Sequence, residues 1–235
     1  MPRITLALAT MLSFIVLTPL AAQDFQKGLA AAQAGDFATA LQEWTPLAEA
    51  GNEFAQYNLG LMYDKGEGVP QDYKEAVKWW RLAAEQGYTK AQGNLGFMYQ
   101  NGEGVPQDYK EAMKWYRLAA EQGDAKAQGN LGHMYDKGQG VPQDYKEASK
   151  WYRLAAEQGN EVAQSNLGVM YSKGDGVLQD NVMAHMWYNI ASANGHSKAG
   201  EWRDGTAGRM TPADITKAQA MARECMSSGY KNCGY

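Results

Sequence analysis

The amino-acid sequence predicts an all-α fold: a right-handed α/α superhelical solenoid of about five helix-turn-helix units closed by a C-terminal capping helix. Three observations predict it. A period of 36 residues governs most of the chain, visible in the columns Trp79, Trp115, Trp151, Trp187 and Gly60, Gly96, Gly132, Gly168 and Tyr63, Tyr99, Tyr135, Tyr171. Each period holds two segments whose apolar residues recur at helical spacing. No run of alternating β-branched residues asks for a sheet. A hairpin of this size cannot bury both apolar faces alone, so each must lean on its neighbours.

Taken in order, residues 1–22 read as a signal peptide. Arg3 forms a short basic start, Ile4 to Leu20 is uncharged and mostly apolar, and Ala21 and Ala22 suit cleavage before Gln23 or Asp24. A retained anchor is the competing reading, but this stretch is marginal for a bilayer of ~30 Å hydrocarbon, and no later segment could span. The mature chain is therefore expected to be exported, to the periplasm rather than the extracellular medium. Residues 25–51 form a partial repeat with a shortened first half. Full repeats occupy 52–87, 88–123, 124–159 and 160–195, and 196–235 form the cap.

Within 52–87, Ala55, Leu59, Met62 and Tyr63 share one face of a helix over about 53–65, called helix A. Gly66, Gly68 and Pro70 break it. Asp72 is then an N-cap with Glu75 as capping-box partner, and Tyr73, Ala76, Trp80, Ala83 and Ala84 mark helix B, which ends at Gly87. Gly60 and its equivalents lie inside helix A, where glycine costs about 1 kcal/mol, so the facing helix is expected to pass close there, with a bulky tryptophan of the Trp79 column filling the gap. In the fourth unit, Val182, Met183 and Met186 replace the charged Lys146, Glu147 and Lys150. The final helix is expected to cover this apolar face, with Thr211 as N-cap, Pro212 at its first position, and Ile215, Ala218, Met221, Ala222 and Cys225 at helical spacing. An exposed dimerisation patch is the alternative. Cys225 and Cys233 can close a small loop in an exported protein, for which the chain-entropy argument gives roughly 2.5 kcal/mol. A redox pair is disfavoured because the spacing is not C-x-x-C.

The string A-Q-x-N-L-G-x-M-Y-x-x-G-x-G-V-x-Q-D-x-x-x-A-x-x-W runs from Ala55 to Trp79 and recurs three times. It resembles the Sel-one-like repeat family, a branch of the tetratricopeptide-like α/α solenoids. The resemblance implies a scaffold or adaptor that holds partner proteins, in some bacterial members an exported one, and it implies no shared catalytic residues.

Chemistry-bearing patterns are otherwise lacking. The 22 Lys plus Arg against 26 Asp plus Glu contain no basic run, so nucleic acid is not an expected partner. His133, His185 and His196 do not recur with the repeat, H-E-x-x-H and G-x-S-x-G do not occur, and Gly66-Glu67-Gly68 lacks the strand and third glycine of a phosphate loop. It reads as a turn. No catalytic residue, metal or cofactor is expected.

A candidate partner surface comes from positions that drift between otherwise similar units: Tyr57, Leu61, Asp64 and Lys65, then Gly93, Phe97, Gln100 and Asn101, then Gly129, His133, Asp136 and Lys137, then Ser165, Val169, Ser172 and Lys173. Their spacing makes one stripe on helix A, the expected concave surface. Neutral drift on a solvated face and a binding role both fit it. Apolar Tyr57, Leu61, Phe97 and Val169 favour binding of a protein or peptide, with Asp64, Gln100, His133 and Asp136 completing the candidate set. The expected protein is thus a monomeric, exported scaffold acting without cofactor. The rival readings are a cell-envelope hydrolase or β-lactam-binding protein, suggested by some cysteine-rich relatives whose repeat cysteines this chain lacks, and a secreted factor contacting another cell.

Overall fold

The computed structural model describes residues 19–231, 233 and 234, with side chains from Asp24 onward. The signal-peptide reading of 1–22 lies outside the described residues apart from the four positions that open α1. Twelve helices are present among the described residues, and no strand: α1 (Pro19–Gln33), α2 (Phe37–Glu49), α3 (Glu53–Lys65), α4 (Tyr73–Glu85), α5 (Thr89–Asn101), α6 (Tyr109–Glu121), α7 (Ala125–Lys137), α8 (Tyr145–Ala156), α9 (Glu161–Lys173), α10 (Asn181–Ala193), α11 (Ala199–Ala207) and α12 (Pro212–Ser227). Odd-numbered α3 to α9 are helices A, and even-numbered α4 to α10 are helices B. Helices α1 to α10 pack mainly on their neighbours in sequence, as a stacked array requires, whereas α11 and α12 both pack on α10. Helices α5, α7 and α9 also touch one another in succession, whereas α4, α6 and α8 make no comparable contact, so helices A crowd together on one side.

Local chemistry sets the turn inside each of the four full hairpins. Gly138 ends α7 in the left-handed region (φ 67°), and its N–H donates to the Met134 carbonyl. The side-chain amide of Gln143 donates to the Asp136 carbonyl at 2.6 Å, satisfying another orphan acceptor of that helix end. Asp144 then accepts from the N–H groups of Lys146 and Glu147 and starts α8. The other full units keep this device: Gln71, Gln107 and Gln179 donate in the same way to the carbonyls of Asp64, Gln100 and Ser172. The leading unit lacks this loop, since α1 and α2 are joined by residues 34–36 alone.

Two expectations need correction. The glycine column is not filled by the Trp79 column. Gly60 faces Trp80, and Gly96, Gly132 and Gly168 face Tyr116, Tyr152 and Tyr188, one residue further along helix B. One residue rotates a side chain by about 100° around the helix, enough to send the two columns to different neighbours. Trp79, Trp115 and Trp151 instead pack on the core of the preceding unit and so tie units together. The G-x-G segment is also more than a turn. Its second glycine, Gly140 in the third unit (φ 76°), lies against the backbone of Tyr109 at the start of α6, where a Cβ would come within 2.6 Å of the carbonyl oxygen. Loop and preceding hairpin meet backbone to backbone.

Polar ladders run along the same junctions. The buried Gln128 donates through Nε2 to the Ala120 carbonyl at the end of α6 (3.1 Å) and accepts at Oε1 from Gln158 Nε2 (2.8 Å). Gln56 with Gln86, Gln92 with Gln122, and Gln164 with Asn194 repeat the arrangement. Arg81 and Arg117 likewise donate to Tyr99 OH and Tyr135 OH of the next unit. The Tyr63 column therefore has a polar role at its rim as well as a packing one.

At the far end, Met183, Met186 and Ile190 of α10 share a buried cluster with Ala218, Ala222 and Cys225 of α12. Thr211 caps α12 by accepting from Asp214 N–H and donating to its carboxylate. A disulfide joins Cys225 to Cys233. Between them Tyr230 donates to Asn194 Oδ1 at 3.0 Å, so the closing loop completes the last rung of the glutamine ladder. Helix α11 is not among the elements expected from the sequence. Its signal is Ala199, which lies 36 residues after Ala163 and, like it, is fully buried.

Candidate partner-binding face on helices A

The sequence-derived candidates occupy equivalent positions on successive helices A: Tyr57, Leu61 and Asp64 on α3, Phe97 and Gln100 on α5, His133 and Asp136 on α7, and Val169 on α9. Phe97 is 49% exposed, and Leu61, His133 and Val169 are half-buried. These stand out from a face whose buried side is made by Ala55, Leu59 and Met62 and their counterparts.

Asp64, Gln100 and Asp136 behave differently. They lie at the edge of the stripe, against helix B. Gln100 Oε1 accepts from the buried Tyr116 OH at 2.8 Å, and Asp136 pairs with Lys137 at 2.7 Å. Residue type in this column does not follow the facing one, since aspartate stands in the unit of Trp80 and again in that of Tyr152. Burial raises the carboxyl pKa of Asp64 and the phenol pKa of Tyr57, and burial together with Lys137 lowers that of His133.

Tyr57 belongs to an aromatic group that sequence reasoning missed. Its ring lies 5.0 Å from Tyr88, Tyr88 meets Phe54 edge-on at 5.4 Å, and Phe54 reaches Phe25 at 6.0 Å. Tyr88 stands where Asn52, Asp124 and Asn160 cap their helices, and it makes no side-chain cap bond. Giving up such a cap costs about 1 kcal/mol. Phe54, 40% exposed, stands where Lys90 and Lys126 occur. Both departures were legible as unit-specific residues within repeating columns.

Beyond Tyr57 the face opens. A Cβ at Gly93 would meet nothing within 4 Å, so packing does not require glycine there. Gly93→Ala is expected to raise stability by about 0.8–1 kcal/mol through helix propensity alone, read as a higher urea midpoint at unchanged m-value.

His185 sits apart, buried on α10 against α11, with Nδ1 lacking a hydrogen-bond partner. Burial, then Arg203, lowers its pKa, and Asp204 opposes them. The unfolded chain therefore takes up a proton first. Stability is complete above the ordinary histidine pKa of about 6.5 and is lost as pH falls below it. Unfolding from pH 7 to 5 should show this decline, and His185→Met, which copies Met113 of the same column, should reduce it.

Among the described residues no group of three or more His, Cys, Asp or Glu side chains could hold a metal. No helix among them is long and apolar enough to cross a membrane.

Comparison with known proteins agrees with this architecture. The Sel1 repeat family matches at residues 54–88, 89–124, 125–160 and 162–196. A Sel1 repeat protein from Oxalobacter formigenes is 32% identical, with a TM-score of 0.75 over 88% of this chain and 83% of that one. The protein c5321, a protective antigen present in uropathogenic Escherichia coli strains and displaying an SLR fold, is 33% identical, with a TM-score of 0.72 over 92% of this chain and 50% of that one. The chain thus spans half the length of that second relative. None of the curated proteins matches it. With four consecutive matched repeats, a hairpin array built on the same columns and a solved relative sharing nearly the whole chain, this protein belongs to the Sel1 repeat family.

Proposed function

We propose that the protein is an exported, periplasmic scaffold that holds a partner protein or an extended peptide along the concave face made by helices A, and that it does so as a monomer without a cofactor. The observation that carries this reading is the row of apolar side chains held partly out of that face: Tyr57, Leu61, Phe97 and Val169, with Phe97 49% exposed. Packing between units does not use the exposed part of these residues, and apolar area offered on a repeat array suits a protein contact. The crowding of α5, α7 and α9 supports helices A as the inner side of the curve. The Cys225–Cys233 disulfide supports an oxidising compartment.

Photocrosslinkers at Tyr57, Phe97 and His133 test the reading in cells, with Lys74 and Lys110 as exposed helix B controls. Capture of a defined partner from the first set and not the second is expected. Equal capture from both, or none from either, would remove the helix A face from consideration. Fractionation with the crosslinked partner tests the compartment separately.

A further inference from the structure

The helix A face ends in a built pocket. In register, α11 stands where helix A of a fifth unit would, but it has nine residues instead of thirteen. At 36-residue spacing, Trp202 replaces the asparagines of positions 58, 94, 130 and 166, Gly205 replaces Val169, and Arg209 replaces Lys173. The outcome is a cavity of about 250 Å³ bounded by Ser172, Tyr188, Glu201, Trp202, Thr206 and Arg209. That is below the ~300–1,000 Å³ of sites for cofactors and drug-sized ligands, so it has room for a single amino-acid residue.

We propose that this pocket takes the C-terminal residue of an extended peptide, with its carboxylate on Arg209 and its apolar side chain against Trp202 and Tyr188. The proposal rests on the helix A face being the partner surface. Arg209 is held by one nitrogen, which donates to Ser172 Oγ at 3.3 Å, and no described carboxylate pairs with it. Its planar fork suits bidentate binding of a carboxylate. The Trp202 ring is 37% exposed and is steadied by Tyr188 at 5.8 Å and His196 at 5.3 Å, giving a fixed aromatic wall. A Cβ at Gly205 would meet nothing within 4 Å, which keeps the space beside that wall open.

Glu201 lines the same pocket. An isolated anion would be repelled by it, but a chain end carries an N–H donor beside its carboxylate and can satisfy both charges. An internal Asp or Glu side chain has no donor at that position. A free α-amino acid shares the chemistry of the chain end. Continuity decides for the peptide: Ser172 belongs to the same α9 stripe as Val169, so the residues preceding a docked terminus would run onto the helix A face.

The test follows the Trp202 indole resonance of the protein by NMR, assigned with Trp202→Phe, during titration with acetyl-Ala-Ala-Ala-Ala-Phe as free acid, the same peptide as C-terminal amide, and free phenylalanine. Saturable shifts are expected with the acid, at least tenfold weaker binding of the amide and of phenylalanine, and a tenfold or greater loss for the acid in Arg209→Gln, with the amide unchanged. Equal binding of acid and amide, indifference to Arg209→Gln, or no shift with the acid would overturn the proposal. Phenylalanine binding as tightly as the peptide would make this an amino-acid site and overturn it equally. If crosslinkers at Phe97 and His133 capture a partner while the Trp202 resonance stays silent, the pocket assignment fails and the helix A face stands. If neither responds, both fail.

Discussion

Gly140→Ala is expected to destabilise the protein by about 2–5 kcal/mol, although it adds one methyl group in a surface loop. Two costs combine. Gly140 has a φ of 76°, where a side chain costs about 1–2 kcal/mol. The added Cβ would also come within 2.6 Å of the Tyr109 carbonyl oxygen and 2.8 Å of its carbon, and backbone cannot rotate away as a flexible side chain could. Separating loop from preceding hairpin adds about 1–3 kcal/mol of overpacking strain. Gly123→Ala is the control, because Gly123 also has a left-handed φ, of 92°, but a Cβ there meets nothing within 4 Å. It should show the backbone cost alone. Urea unfolding of both variants separates the two contributions; equal losses would mean that the loop contact does not hold the units together.

Gln128→Met should cost about 1–3 kcal/mol despite conserving side-chain size. Gln128 is buried, and its amide satisfies the Ala120 carbonyl while its oxygen accepts from Gln158. The Ala120 carbonyl keeps its bond from Gly123 N–H, but methionine removes the second bond it accepts and the bond to Gln158, two neutral hydrogen bonds worth about 0.5–1.5 kcal/mol each. Gln158→Met alone should also destabilise, because it leaves the buried Gln128 oxygen unsatisfied. The double variant should lose less than the sum of the singles, and strict additivity in urea unfolding would show that the ladder is not a coupled unit.

The repeating elements were legible because spacing alone determines them. Asp72 as a cap, Gly66 as a terminator and the helix A span of 53–65 all follow from residue types acting on their own backbone. What a column faces is a different matter. Trp79 and Trp80 are neighbours in sequence yet go to different units, and only the mutual rotation of the two helices decides between them. The glutamine column was equally visible, but a repeated polar residue fits a solvated face as well as a buried rung. Helix α11 was hidden because only its anchoring Ala199 keeps the repeat pattern, while Trp202, Gly205 and Arg209 depart from it. The candidate stripe was legible as variation, and the structure divides it into open positions such as Phe97 and positions tied to helix B such as Gln100.

Stability in this chain belongs to junctions between neighbouring hairpins, and excision of one unit tests that most directly. Removing residues 124–159 joins Gly123 to Asn160, a junction of the same residue types as Gly159 to Asn160 in the intact chain. The shortened array can re-form its rungs, with Gln164 reaching Ala120 in place of Ala156. Far-UV circular dichroism should show a helical protein that still unfolds cooperatively on heating, at a lower midpoint, while excision of 124–141 should abolish the transition. Loss of cooperative unfolding on removal of the complete unit would contradict the account, because that is the behaviour of a fold built around one centre.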